Sequence, residues 1–212
     1  MSPVWSVTPS WRRPRPAGFI PPCLPALVDD VPVGPDWLHE LKWDGYRIIA
    51  RKKGSSVKLW SRAGRGWQLN FPGIAEAVAA LPQTHLILDG EAVVLREDGT
   101  ADFFALRTRS AGIEARLIVF DLLGVDGEDT RPLPLEERRE RLAAVLRLNL
   151  SPWLLFSEVV EGDKGAVLFR HACDMNLEGI VSKRKGSPYI SGPTTTWRKI
   201  KCPNYVRPGE GT

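Results

Sequence analysis

The chain is poor in the residues that build stapled, metal-bound or membrane-spanning proteins. Its three cysteines, Cys23, Cys173 and Cys202, are widely spaced and show no C-x-x-C pattern. That argues against a disulfide scaffold or zinc ribbon and points to a reducing compartment. The three histidines, His39, His85 and His171, have no metal-ligand spacing and read as structural. No apolar run approaches the roughly 18 residues of a membrane span, and residues 1–19 lack the apolar stretch of a secretory leader. What remains is an ordinary globular composition, 43% hydrophobic and 25% charged, which excludes a disordered chain. At 212 residues it can bury a core without staples.

The net charge of +4 is unevenly spread. Residues 1–18 contribute +3 through Arg12, Arg13 and Arg15, and residues 180–212 contribute +6, which leaves −5 for residues 19–179. Basic ends around an acidic body suit a polyanionic partner, although a solvated charge face explains the composition equally well.

Half of the 18 prolines precede Asp36, so residues 1–35 read as extended or irregular. Beyond them, β-branched and aromatic runs predict strands at 37–42, 46–52, 57–61, 85–88, 91–96, 116–123, 154–159, 179–183 and 197–201. Helices are predicted at 74–81, 135–148 and 167–175. The second follows Pro134, with Glu136 and Glu137 in its first turn and Arg147 in its last. The third has Asp163 as a candidate N-cap and Asn176 as its stop. The elements do not alternate strictly between strand and helix, which points to α+β with largely antiparallel sheets.

One string carries chemistry. In Glu40-Leu41-Lys42-Trp43-Asp44-Gly45-Tyr46-Arg47, Glu40 and Lys42 share a strand face beside a D-G turn. A lysine there becomes a nucleophile if neighbouring cations or a metal lower its pKa from about 10.4. Read alone, the same string is equally a plain β-hairpin.

Taken with its companions, the string resembles the nucleotidyltransferase superfamily of ATP-dependent DNA ligases, RNA ligases and mRNA capping enzymes. Lys42–Arg47 is similar to motif I, K-x-D-G-x-R, and Ser61-Arg62-Ala63-Gly64 to the ligase S-R-x-G element. Leu88-Asp89-Gly90-Glu91 resembles motif III, and Val119-Phe120-Asp121-Leu122-Leu123 motif IIIa. Glu178-Gly179-Ile180-Val181-Ser182-Lys183 resembles motif IV, and Trp197-Arg198-Lys199-Ile200-Lys201 motif V. Phe104-Ala105-Leu106-Arg107-Thr108-Arg109 and Pro22-Cys23-Leu24-Pro25-Ala26-Leu27 resemble segments of the ligase module of bacterial end-joining ligase D enzymes.

The resemblance implies an ATP-grasp-like adenylation domain over 21–202, its sheets flanking a nucleotide cleft, with tails at 1–20 and 203–212. It implies ATP and magnesium or manganese as cofactors and nicked or broken double-stranded DNA as partner. It also implies other end-joining repair proteins as partners and a bacterial cytoplasmic, nucleoid-associated location without a membrane. Lys42 would attack the α-phosphate to form lysyl-AMP. Lys199 and Lys201, two apart on a strand, would neutralise the phosphate and depress the Lys42 pKa. Glu91 and Glu178 are the implied ribose and metal contacts, Phe120 the adenine-stacking ring, and Arg47 and Arg62 the partners of ribose or phosphates. Glu40 and Lys183 complete the implied nucleotide-binding set.

In such ligases an OB-fold domain of on the order of 100 residues follows motif V. Only residues 202–212 follow it here, so no OB-fold domain is expected. Two rivals remain: an RNA ligase or GTP-using capping guanylyltransferase, and a non-catalytic nucleotide- or nick-binding module. Nucleotide choice separates the first, and a covalent AMP adduct the second.

Overall fold

A computed structural model of the chain describes residues 18–108, 111–148 and 151–206. Arg12, Arg13, Arg15, Arg109 and Arg207 lie outside the described residues.

The first strands are β1 (Cys23–Leu27), β2 (Trp37–Leu41), β3 (Tyr46–Lys53), β4 (Ser56–Ser61), β5 (His85–Val93) and β6 (Arg116–Val125). They are followed by β7 (Glu128–Asp129), β8 (Leu154–Phe156), β9 (Val160–Glu161), β10 (Gly179–Arg184) and β11 (Gly192–Lys201). The helices are α1 (Pro72–Ala80), α2 (Ala111–Glu114), α3 (Leu135–Arg147) and α4 (Lys164–Asp174). The first sheet runs β1-β11-β10-β2-β9, and the second runs β4-β3-β5-β6-β7 with β8 beside β6. Only β1 with β11 and β6 with β8 pair in parallel among the described strands, so the expected largely antiparallel α+β character holds.

Residue alternation builds the layers. Ile48, Leu86, Leu88 and Val119 face a core closed by Ile74 and Val78 of α1 and Leu142 and Val145 of α3. Their neighbours Ile49, Ile87 and Phe120 point the other way and meet Trp197 and Tyr189 between the two sheets. On the far face of the first sheet, Ile180 and Ile200 pack on Ala172 of α4. Among the described residues, no helix is long and apolar enough to cross a membrane.

Residues 23–27, in the stretch read as extended or irregular, form a strand at a sheet edge, where the missing Pro25 donor is tolerated. Three expectations are corrected. The segment 85–93 is one strand, not two separated at 89–90, because β3 and β6 pair with it on both sides through Asp89 and Gly90. Position 90 takes glycine because a Cβ there would sit 2.6 Å from the Ile118 carbonyl oxygen. Asp163 does precede α4, but its side chain makes no cap hydrogen bond, while Asn176, with φ at +52°, follows that helix's end as expected. Finally, Cys173 and Cys202 are bonded to each other, leaving Cys23 free and buried. Their separation of 29 residues conceals that the end of α4 and the residue after β11 lie 5.3 Å apart at Cα.

Candidate active site

The D-G string is not a hairpin. β2 belongs to the first sheet and β3 to the second, so Lys42 sits where the chain crosses between them. Its backbone N–H donates to the Gly179 carbonyl at 2.9 Å, tying motif I to motif IV. Asp44 accepts from the Tyr205 hydroxyl at 2.8 Å, which anchors the bend. Gly45 is required by close approach, since a Cβ would lie 2.2 Å from the Ala92 carbonyl oxygen.

The crossing opens into a cavity of about 500 Å³, within the range of small-molecule sites. It is lined by Glu40, Lys42, Arg47, Arg62, Glu91, Phe120, Glu178 and Lys199. At one end stands a charged cluster. Lys42 donates to Glu178, whose other oxygen pairs with the Lys201 ammonium at 2.9 Å. The Lys199 amine is pushed below the usual lysine range by burial first, then by Lys42, Lys201 and Arg62, with Glu178 opposing. The Ser61–Gly64 turn, closed by a 2.9 Å bond from the Gly64 N–H to the Ser61 carbonyl, places Arg62 on the rim. Burial pushes the Glu91 carboxyl up to about 7; Arg47 and Lys42 oppose the shift, while Asp89 and Glu178 add to it. Among the described residues, Glu91 makes no direct ion pair, and no three metal-binding side chains cluster.

The other end is enclosed. Phe120 of the second sheet lines it together with Val181 and Trp197 of the first, the Phe120 and Trp197 rings packing edge to face at 6.2 Å between centroids. Glu40 is buried, with the Lys183 ammonium 2.5 Å from one oxygen and the Ser157 hydroxyl donating at 3.1 Å to the other. Lys183 itself is not on the cavity surface. It lies behind the wall, its ammonium 4.3 Å from the Phe120 ring centroid and 4.0 Å from that of Trp197. Burial lowers its pKa, and Glu40 opposes that shift. Arg47 lines the cavity, but its guanidinium is held bidentately by Asp89 at 2.5 and 2.7 Å, and Asp89 also accepts from the Tyr189 hydroxyl at 2.6 Å.

Sequence reasoning missed Val181, Arg65 and Ser157. Val181 was detectable, because along β10 it alternates with the inward Ile180 and so faces the opposite side. Arg65 follows the S-R-x-G turn and lines the cavity. Ser157 had no signal, since its contact with Glu40 spans 117 residues.

Similarity to known proteins extends over most of the chain. Residues 30–201 match the family model described as the ATP dependent DNA ligase domain. The multifunctional non-homologous end joining protein LigD of Pseudomonas aeruginosa is 40% identical over 194 residues, covering 90% of this chain and 23% of that protein. A solved mycobacterial DNA ligase D complexed with ATP and MES superposes with a TM-score of 0.72 at 31% identity. The ligase domain of Mycobacterium tuberculosis LigD does so with 0.74 at 29%. Each match covers 86% of this chain and 60% of the solved one. The chain thus spans under a quarter of the length of that Pseudomonas relative. Agreement in both sequence and backbone over most of its residues makes this chain a member of the ATP-dependent DNA ligase domain family.

Proposed function

We propose that the chain is the adenylate-forming part of a DNA end-joining ligase. The carrying observation is Lys42 at the crossing between the sheets, with Glu178, Lys199 and Lys201 gathered around it and Phe120 in the same cavity. The Lys42 amine, deprotonated, attacks the α-phosphorus of ATP. An N–P bond forms, the bond to the bridging oxygen breaks, pyrophosphate leaves, and the surplus amine proton passes to solvent. Lys199 and Lys201 offset the charge developing on the phosphate oxygens. AMP then passes to a DNA 5′-phosphate, and a 3′-hydroxyl displaces it to join the strands. Arg62, Arg65 and the exposed Lys201 ammonium provide a cationic rim for the DNA backbone.

Phe120 and Val181 offer two faces between which adenine stacks. Glu40 is an acceptor-only carboxylate beside them, suited to the adenine 6-amino group and not to the 6-oxo group of guanine. A magnesium or manganese ion fits an oxygen donor set of Glu91, and of Glu178 once its lysines turn to phosphate; it would supply positive charge at the phosphates. Broken DNA and further end-joining proteins are the corresponding partners.

The test is incubation with α-labelled ATP and magnesium, followed by denaturing electrophoresis and mass spectrometry of Lys42. Covalent AMP that is lost in Lys42→Ala supports the reading. An adduct persisting in that variant removes Lys42 from its role, and no adduct in the unaltered chain leaves nucleotide binding without transfer.

A further inference from the structure

The two walls of the enclosed end belong to different sheets: Phe120 lies on β6 of the second and Glu40 on β2 of the first. Their relative placement decides whether a base finds its face and its edge contacts together. Two buried side chains touch both: Lys183, which pairs with Glu40 Oε1 and lies over the Phe120 ring, and Arg139, which reaches the Phe120 backbone and the other Glu40 oxygen. The Arg139 guanidinium of α3, 5% exposed, lies 3.4 Å from the Phe120 carbonyl oxygen and 3.5 Å from Glu40 Oε2. Its strongest bond, at 2.6 Å, goes to the Ser157 carbonyl. Ser157 is in turn pinned to the second sheet by its N–H to the Val119 carbonyl at 2.9 Å and to Glu40 by its hydroxyl. The Phe156 ring covers the guanidinium at 4.6 Å, which fixes its plane.

The preceding residue repeats the arrangement. Arg138 is fully buried, grips Asp121 of β6 bidentately at 2.8 and 2.9 Å, and donates at 2.9 Å to the Ser187 carbonyl beyond β10. Consecutive arginines on one helix therefore each link the second sheet to elements of the first. Only Arg139 does so at a residue that lines the cavity.

We infer that Arg139, through Ser157, is a positioning residue for the nucleotide base: it sets the Glu40 carboxylate against the plane of Phe120 and so gives the site its preference for adenine over guanine. This rests on the reading of the cavity as the ATP site. Arg139 touches no substrate. Without it, Glu40 keeps Lys183 on Oε1 and remains in the wall, but Oε2 loses its guanidinium and is left to the Ser157 hydroxyl, whose own backbone has lost its 2.6 Å anchor, so the plane of the carboxylate is held less firmly. ATP binding then weakens and GTP is rejected less strongly, because discrimination between 6-amino and 6-oxo groups depends on a fixed acceptor.

The experiment measures equilibrium affinities of the full chain for ATP and GTP, alongside lysyl-nucleotide formation and thermal stability, for the unaltered protein, Arg139→Met, Arg139→Lys and Ser157→Ala. In Arg139→Met, ATP affinity should fall about tenfold and the ATP:GTP ratio about fivefold or more, with the maximal rate of adduct formation changed less than about threefold. Arg139→Lys should recover part of the ratio. Ser157→Ala, which keeps the guanidinium, should move the ratio in the same direction and guards against a methionine variant that fails to fold. Equal losses for both nucleotides in the folded variants, or lowered melting with an unchanged ratio, would overturn the proposal and leave Arg139 a purely structural strap. Binding without adduct in the unaltered chain would defeat the ligase reading, yet the affinity ratio would still decide the role of Arg139. No binding of either nucleotide would overturn both.

Discussion

The two ends of the cavity are held together by different means. Around Lys42 the cations are few-partnered and reach solvent: the Lys42 and Lys201 side chains are 22% and 52% exposed, and both share the single buried carboxylate of Glu178. Around Phe120 each charge is buried and gripped from several directions, as in Glu40 with Lys183, Ser157 and Arg139. Near the charged end, moreover, the sheet is closed by a covalent tie. Cys202, bonded to Cys173, also donates its N–H to the Glu178 carbonyl at 3.1 Å. A site that moves phosphate needs charges that can exchange partners, whereas a site that reads a base needs fixed ones. On the proposed reading of the cavity, its two ends divide the labour along that difference.

The contrast is broken most severely at the buried end. Arg138→Met strands the Asp121 carboxylate in the interior and should cost about 3–5 kcal/mol, the usual penalty for a buried pair left with one partner. Urea denaturation measures it. A loss below about 1 kcal/mol, the scale of an exposed pair, would mean that the pair is solvated and the contrast false.

Somewhat smaller is the covalent tie. Cys173→Ser opens a loop of 29 residues in sequence separation and should lower stability by about 3 kcal/mol through the entropy regained by the unfolded chain. Reducing agent should produce the same drop in melting temperature in the unaltered protein and no further drop in the variant.

Next comes titration at the charged end. Glu91, with its carboxyl pushed up to about 7 from 4.5, binds its proton more tightly in the folded chain than in the unfolded one. Its stabilising contribution is therefore complete below about pH 4.5 and disappears as pH rises through about 7. Denaturation of the unaltered protein and of Glu91→Gln across this range should show stabilities that diverge, the unaltered protein losing ground as pH rises. Parallel curves would remove Glu91 from the buried, titrating group.

The weakest expected effect lies on the rim. Arg62→Ala and Arg65→Ala should each weaken DNA binding nearly uniformly across sequences and reduce the slope of log affinity against log salt by about 1. An unchanged slope would place the DNA elsewhere.

Much of this molecule was legible along the chain because its chemistry comes in short strings. The helix at 135–147 announced itself through Pro134, its acidic first turn and its basic last turn. The six motif-like segments named the cavity residues Lys42, Arg47, Arg62, Glu91, Phe120, Glu178 and Lys199. Misreadings arose where a local signal has two tertiary outcomes. Asp-Gly marks a bend at residues 44–45, yet only sheet membership shows that the bend joins two sheets and is not a hairpin. The same dipeptide at 89–90 lies inside a strand because β3 and β6 pair with it on both sides, and the glycine there leaves room for the Ile118 carbonyl.

By itself, then, the sequence determined the α+β class and the charge asymmetry, which follow from residue type and from periodicities of two and 3.6, while the resemblance of its short motifs named the side chains expected to do the chemistry. The tertiary structure alone decided that Lys42 stands between two sheets, that Lys183 lies behind the wall, that Arg139 reaches Glu40 across 99 residues, and that Cys173 meets Cys202. Those are pairings between distant segments, and alternation along a strand reports which face a residue takes but never what lies opposite it.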